Sequence, residues 1–423
     1  MTSRLTLAVV ILAFFVCSVG SLMICGILFP TMHIGRSDSV PLQAVASVAA
    51  MAVFVPVFLA ARFSFGYLVA FPIFSAVLSF VWLSFVSVFD YQHATARYSM
   101  VLALIAAITP PLFLNVDIPR PALSDRAMSR LIVLLVVAST AVLIADMSFG
   151  VAFGDPYGSS RGNVARPAWM NYLTGIVLGA VIPYLFAYFS IRKQWYFAIC
   201  VAVLDLCFYP VVLNKSVLML PAWLLFLFWL FGRFSPRLAT VLSFLIPMIF
   251  GLLDAASLFV FPDHPFVVFS AINLRFSAVP ALAIDHYADF FSRHTTTNFC
   301  QISFIRRLIE CSYGELGVEM ANVYRTGNFN ASFLATEGIA SVGLKLAPIS
   351  ALFCGLILAA GSMASRHLSP RFIAVSSGAA VPIITNVPLT TALLTNGVGL
   401  LFLLWWITSS PGRGLSLPDT KHR

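Results

Sequence analysis

Charged residues are scarce in this sequence. Asp, Glu, Lys and Arg make up 10% of its 423 residues, whereas a soluble domain averages about 25%. Hydrophobic residues make up 60% and fall in apolar runs of roughly 18 to 25 residues, the length that spans a bilayer as a helix. This composition excludes an ordinary water-soluble domain. The runs are continuous and do not alternate, so they indicate transmembrane helices and not the strands of a transmembrane barrel.

The sequence also lacks the motifs of several functional classes. It has no glycine-rich phosphate loop, no His and Cys spaced for a metal, no soluble nucleic-acid module and no long repeat. These absences argue against a nucleotide-driven pump, a metal site and nucleic-acid binding. The net charge of +9 is attributed in large part to the basic loops of a membrane protein.

The apolar runs predict an all-α polytopic integral membrane protein with about twelve transmembrane helices and a single membrane domain over 1–423. Lys and Arg of the short loops concentrate on one side of these spans, and that side is predicted to be cytoplasmic. Both termini are then predicted to lie in the cytoplasm, and the expected location is the inner membrane of a bacterium. The predicted spans are Leu5–Leu28, Ala44–Ala61, Phe65–Phe89, Tyr98–Val116, Leu131–Phe149, Trp169–Ile191, Trp195–Leu213, Val217–Phe231, Leu238–Phe261, Ile339–Gly361, Phe372–Asn386 and Leu389–Ile407.

Polar residues concentrate between the ninth and tenth predicted spans. Residues 263–337 hold seven of the 16 acids, five of the 25 Lys and Arg and three of the seven His. The orientation places this stretch outside, so the sequence predicts one large periplasmic loop here. Cys300 and Cys311 both lie in it. An oxidising compartment allows them to form a disulfide, and two free thiols are the alternative.

One run in this loop combines a cation, a proline, acids and aromatic rings. It begins at Arg275, contains Pro280 and ends with His286-Tyr287-Ala288-Asp289-Phe290-Phe291. Aromatic rings pack on the apolar faces of a pyranose, and carboxylates accept hydrogen bonds from its hydroxyls. The run therefore favours sugar binding. An interfacial belt of aromatic residues is the alternative interpretation.

This run, followed by Asn330-Ala331-Ser332-Phe333 and a glycine-containing start of the next span, resembles the O-antigen (Wzy-type) and oligosaccharide repeat-unit polymerases. A further similarity is the short turn Asn214-Lys215-Ser216. The resemblance implies a GT-C-like polymerase architecture with one large outward loop. It also implies a metal-independent glycosyltransferase, with no cofactor, that joins repeat units carried on polyprenyl pyrophosphate at the periplasmic face, for lipopolysaccharide or exopolysaccharide biosynthesis. The implied partners are the lipid-linked oligosaccharide, membrane lipids, and chain-length regulator and flippase proteins.

The same resemblance implies roles for individual residues. Arg275 is expected to stabilise charge on the leaving pyrophosphate, because a guanidinium binds phosphate through two N–H groups. Asp289 and His286 are expected to handle the acceptor hydroxyl. For each arginine the alternative is a headgroup contact or a loop salt bridge. The residues expected to bind substrate are Arg161, Arg166, Lys215, Tyr287, Arg325, Asn328 and Asn330.

Two acids, Asp205 and Asp254, fall inside predicted spans, where a carboxylate is costly unless it is paired or functional. Asp254 and Lys345 lie at similar depth, which predicts an ion pair. Asp205 has no evident cationic partner. Acids within spans also describe a proton-coupled transporter or a lipid-linked-glycan flippase, and a glycan ligase has a similar architecture. Both classes remain alternatives to the polymerase.

Overall fold

A computed structural model describes residues 4–35, 42–121, 123–151, 166–261, 265–302, 305–326 and 331–409. Within them, eleven helices are long and apolar enough to cross a membrane, judged by length and composition. The chain is a polytopic helical membrane protein, which confirms the predicted fold class. The eleven are α1 Arg4–Leu28, α2 Leu42–Ala60, α3 Phe65–Leu83, α4 His93–Phe113, α5 Asp125–Met147, α6 Ala168–Ile191, α7 Trp195–Val212, α8 Lys215–Arg233, α9 Pro236–Ala256, α10 Val267–Arg293 and α12 Leu334–Ser365. The shorter helices are α11 Leu316–Tyr324, α13 Pro370–Ser376, α14 Ala380–Asn386, α15 Leu389–Leu394 and α16 Val398–Ile407.

The end of the chain differs from its prediction. The first nine predicted spans correspond to α1 to α9 within a few residues, and the tenth to α12. Where the last two spans were expected, the structure has the four short helices α13 to α16. Pro388 follows α14 and lacks the N–H needed to continue a helix. Gly397, with φ +73°, precedes α16 in a conformation that favours glycine.

The region of residues 263–337 is the largest correction. The sequence predicts one large periplasmic loop over this region, but residues 267–293 form the continuous helix α10. Leu274–Ala278 is a π-helical turn inside it. Helix α10 is long and apolar enough to cross a membrane. The composition of the whole polar region concealed the apolar first half of α10. The two acids of its second half, Asp285 and Asp289, are buried within the protein.

The helices form two compact units. The first contains α1 to α4, α9 to α11, most of α12 and most of α14, and the second contains α5 to α8, the end of α12, α13 and α16. In the first unit every residue of α3 is buried. Ser64 caps this helix by accepting a hydrogen bond from the backbone N of Tyr67 at 3.2 Å, as preferred N-cap residues do. Helices α1, α2, α4, α9 and α10 pack around α3.

A buried asparagine fixes α10 in this unit. Asn273 donates from Nδ2 to Ser21 Oγ at 2.8 Å and to the backbone O of Met248 at 2.9 Å. Gly251 permits the approach, since a Cβ there would lie 1.7 Å from Asn273 Oδ1. Small residues let membrane helices pack closely, and polar side chains then bond across the interface. The contacts position α10, which carries all three predicted catalytic residues, Arg275, His286 and Asp289.

The predicted ion pair between Asp254 and Lys345 is wrong. Asp254 Oδ2 accepts a hydrogen bond from the backbone N of Phe269 at 2.9 Å. Lys345 is exposed and has no ion pair with any residue that the structure describes. Asp254 and Lys345 lie at similar depth in their spans but do not meet. Helix α10 packs against α9, and the first turn of α10 supplies the donor to Asp254.

Candidate functional site

The second half of α10 carries two acids and a histidine that are fully buried, Asp285, Asp289 and His286. Four residues separate the two acids, so both carboxylates lie on one face of the helix, one turn apart. Burial of a charged group requires partners, and the structure supplies them from other segments. We name the resulting group the carboxylate cluster. Its members are Ser87, Tyr91, Asp285, His286, Asp289, Arg293 and Tyr324.

Asp285 is held by two hydroxyl donors. Ser87 Oγ donates to its Oδ2 at 2.8 Å, and the hydroxyl of Tyr91 donates to its Oδ1. Burial, reinforced by the Asp285 carboxylate, raises the pKa of Tyr91 above its ordinary value. Tyr91 therefore remains a protonated donor at neutral pH. Both oxygens of Asp285 are engaged, which suits a positioning role better than proton transfer.

Asp289 is engaged on one oxygen only. Its Oδ2 accepts from the hydroxyl of Tyr324 at 2.7 Å and from Nη2 of Arg293. Its Oδ1 is buried and accepts no hydrogen bond from any residue that the structure describes. The Arg293 side chain is 59% exposed, whereas that of Asp289 is fully buried. The pair therefore links a buried carboxylate to the protein surface.

His286 lies between two aromatic rings. Its imidazole stacks on the ring of Tyr324 with 4.3 Å between centroids, and Phe89 meets it edge-on at 5.2 Å. Burial, followed by the hydrogen bond to Asp289, raises the pKa of Tyr324, so this phenol also stays protonated. The stack fixes the orientation of both rings beside Asp289.

The partners of the cluster come from connecting segments of the first unit. Ser87 and Tyr91 lie between α3 and α4, and Tyr324 ends α11. His33, just after α1, approaches the backbone O of Tyr324 with Nε2 at 3.1 Å, and Ile34 forms a backbone bridge with Ser87. The connections after α1 and α3 are both among the loops that the sequence predicts to face outward.

Arg275 does not join the cluster. It is exposed and lies in the π-helical turn of α10. Fourteen residues separate it from Asp289, which corresponds to about 21 Å along a helix. The structure therefore does not bring the expected pyrophosphate ligand next to the expected acceptor-binding acid. The role of Arg275 stays a prediction.

Other predicted residues lie apart from the cluster or outside the described residues. Tyr287 is buried, but it lies two residues before Asp289, about 200° around the helix. Its ring pairs with that of Phe291 at 6.0 Å. Arg325 is exposed and follows Tyr324 directly, so it lies beside the cluster along the chain. Asn328, Asn330 and Arg161 lie outside the described residues.

Arg166 and Lys215 belong to the second unit. Arg166 Nε lies 2.8 Å from Asp146 Oδ1, and its Nη2 donates to the backbone O of Val211. Thr174 Oγ1 donates to the other oxygen of Asp146 at 2.8 Å. The guanidinium of Arg166 thus neutralises a buried acid, as in the salt-bridge alternative. Lys215 is half-buried in the first turn of α8.

Sequence reasoning missed Arg293, Tyr91 and Tyr324. Arg293 follows Asp289 by four residues, the spacing of an ion pair on a helix, so recognising α10 as a helix reveals it. Tyr91 and Tyr324 are distant in sequence from the acids they bind, and no local pattern marks them. No group of three His, Cys, Asp or Glu suited to a metal occurs in the part of the chain that the structure describes.

Cys300 and Cys311 form a disulfide, with 5.3 Å between their Cα atoms, which decides between the two alternatives. The other five cysteines are free.

We expect a maleimide mass tag to label five cysteines of the denatured, unreduced protein and all seven after reduction, as counted by mass spectrometry. Seven labels without reduction would show that Cys300 and Cys311 are thiols. The variant Cys300→Ser is the control and should gain one label, at Cys311, before reduction.

Three comparisons with known proteins found no relative. No family model matches the chain, no curated protein matches it, and no solved structure matches it. A proposal for its function therefore rests on the geometry of the carboxylate cluster and on the residues that carry the resemblance.

Proposed function

We propose that this protein is a glycan polymerase that joins oligosaccharide repeat units carried on polyprenyl pyrophosphate, at the outer face of a bacterial inner membrane. The membrane fold suits a lipid-linked donor. The carboxylate cluster supplies two acids, a histidine and an arginine within a few residues on α10, and tyrosine rings from other segments. These are the groups that the reaction needs to bind a sugar hydroxyl and to stabilise a leaving phosphate.

The observation that carries the proposal is the state of Asp289. It is fully buried, and its Oδ2 is held by Tyr324 and Arg293, which fixes the orientation of the carboxylate. Its Oδ1 accepts from no described residue. In the proposed reaction, this oxygen takes the proton of the acceptor hydroxyl. The hydroxyl oxygen attacks the anomeric carbon of the donor, and the bond from that carbon to the pyrophosphate breaks.

Arg293 is the cation best placed to stabilise the leaving group in this scheme. Asp289 anchors its guanidinium while more than half of the side chain stays exposed, so N–H donors remain for a phosphate. Arg275 lies about 27 Å away from Arg293 along the helix.

We expect Arg293→Ala to reduce long-chain product at least tenfold, and Arg275→Ala to reduce it less, measured on gels of surface glycans. A larger loss of long-chain product with Arg275→Ala than with Arg293→Ala would assign stabilisation of the leaving group to Arg275.

Deletion of the gene, followed by gel analysis of surface glycans, tests the function itself. A polymerase predicts loss of long chains with one-unit forms retained. Complete loss of glycan attachment would identify a ligase. Accumulation of lipid-linked units on the inner face would identify a flippase. An unchanged glycan pattern would contradict all three functions.

One observation favours a second candidate, a proton-coupled transporter or flippase. Asp205 lies within α7 and is 1% exposed, and neither of its oxygens has a hydrogen-bond partner among the described residues. Intramembrane acids of this kind occur in proton relays. Transport of a lipid-linked unit that depends on the proton gradient, and that Asp205→Asn abolishes, would support this candidate over the polymerase.

A further inference from the structure

Among the described residues of the second unit, two acids are buried, and their surroundings differ. Asp146, at the end of α5, has a cation on one oxygen and a hydroxyl donor on the other. Asp205, on α7, is equally buried but has no donor on either oxygen in the part of the chain that the structure describes. The contrast is informative because both side chains are almost completely removed from solvent.

Most titratable groups on the helices packed against α7 are paired with other residues or lie at a helix end. Helices α5 and α6 make the most extensive contacts with it, and α8 reaches it through Phe228, whose ring pairs with that of Trp195 at 5.0 Å. The guanidinium of Arg166 also lies against α7, where its Nη2 donates to the backbone O of Val211, six residues after Asp205. On α6, the hydroxyl of Tyr184 lies 2.7 Å from Thr408 Oγ1, and Arg192, which follows the helix, lies over the ring of Tyr188 at 3.7 Å. On α5, Asp146 is paired with Arg166. Asp125, Arg126 and Arg130 occupy the first two turns of α5, at the opposite end of that helix from Asp146.

An unpaired carboxylate in such a site is strongly disfavoured. Removing a charge from water into an apolar interior costs several kcal/mol even after the protein relaxes, and such a group neutralises instead. A neutral carboxylic acid lacks that cost and keeps one O–H donor and one acceptor. We infer that Asp205 is a proton-binding site in the second unit, where the side chain is a neutral carboxylic acid at neutral pH.

The site has a local feature that suits proton exchange. The regular part of α7 ends at Cys207, two residues after Asp205, and Pro210 is the second residue of the short turn that completes the helix. Proline removes one backbone hydrogen bond and bends a helix. Asp205 therefore lies one turn before a break in α7. The inference concerns α7 alone and does not depend on whether the protein polymerises glycans.

Infrared difference spectroscopy of the whole protein in lipid nanodiscs tests the inference. A protonated carboxyl shows a C=O stretch that is separate from the two bands of a carboxylate. At pH 7, the spectrum of the wild type minus that of Asp205→Asn should contain this C=O band, and the band should shift in D₂O. Carboxylate bands in the same difference spectrum would overturn the inference, since they would show that Asp205 is ionised.

Two further variants keep the test decisive. Asp205→Glu retains a carboxyl, so the C=O band should move in position without disappearing, which assigns the band even where Asp205→Asn folds poorly. Asp146→Asn is the matched control at an ion-paired acid. Its difference spectrum should contain carboxylate bands. A C=O band that is unchanged in both Asp205 variants would belong to another residue and would contradict the inference.

Discussion

Asp289→Asn is expected to reduce long-chain glycan at least about 100-fold, the lower range for loss of a general base. Asparagine has nearly the shape of aspartate, but it cannot take a proton from the acceptor hydroxyl. It also removes the charge that anchors Arg293. Since each tenfold loss corresponds to about 1.4 kcal/mol, the effect represents about 2.8 kcal/mol of transition-state stabilisation. Gels of surface glycans measure it, with protein amounts matched by immunoblot.

Tyr324→Phe is the matched control for Asp289→Asn. It removes the hydroxyl that donates to Asp289 Oδ2 but keeps the ring that stacks on His286 and keeps the carboxylate. A neutral hydrogen bond contributes about 1 kcal/mol, so we expect less than a tenfold reduction in long chains. Equal losses in the two variants would indicate that Asp289 acts through the local structure and not through proton transfer.

Arg166→Met is expected to lower the free energy of unfolding by about 3–5 kcal/mol, the range for breaking a buried ion pair by removing one partner. The variant leaves Asp146 buried with Thr174 as its remaining side-chain donor. The double variant Asp146→Asn with Arg166→Met removes that uncompensated charge and should recover most of the loss. Thermal unfolding in detergent, followed by circular dichroism, measures all three proteins.

The same unit offers an exposed ion pair as a control. Arg366 Nη1 lies 2.5 Å from Asp117 Oδ1, and the two side chains are 44% and 92% exposed. Exposed pairs contribute about 0–1 kcal/mol because water screens them. Arg366→Met should therefore change the unfolding temperature little. If Arg366→Met lowered the unfolding temperature as much as Arg166→Met, burial would not determine how much these ion pairs contribute to stability.

The helices predicted best from the sequence are those with uninterrupted apolar runs. Helices α1 to α9 follow directly from such runs. Helix α10 escaped prediction because Arg275, Asp285 and Asp289 interrupt its apolar pattern. Asp285 and Asp289 can be buried because hydrogen-bond donors from distant segments, among them Tyr91 and Tyr324, compensate their carboxylates. Composition cannot reveal such compensation, since it exists only in the folded chain.

The site was predictable in its residue types but not in its geometry. Sequence reasoning selected His286 and Asp289 from an acidic and aromatic run, and the structure places both in the carboxylate cluster. It also selected Arg275 as the principal cation and overlooked Arg293, because it treated the run as a loop. A loop leaves the distance between two residues open. A helix fixes it, at about 1.5 Å of rise per residue, and so separates Arg275 from Asp289.

The most direct test of the proposed function uses the purified protein in lipid nanodiscs with a single lipid-linked oligosaccharide repeat unit as the only substrate. Product length on a gel and release of polyprenyl pyrophosphate are measured together. The proposal predicts chains of increasing length, one polyprenyl pyrophosphate released for each unit added, and neither product with Asp289→Asn. Unchanged substrate with the folded wild-type protein, tested with the repeat unit of its own organism, would contradict the proposal.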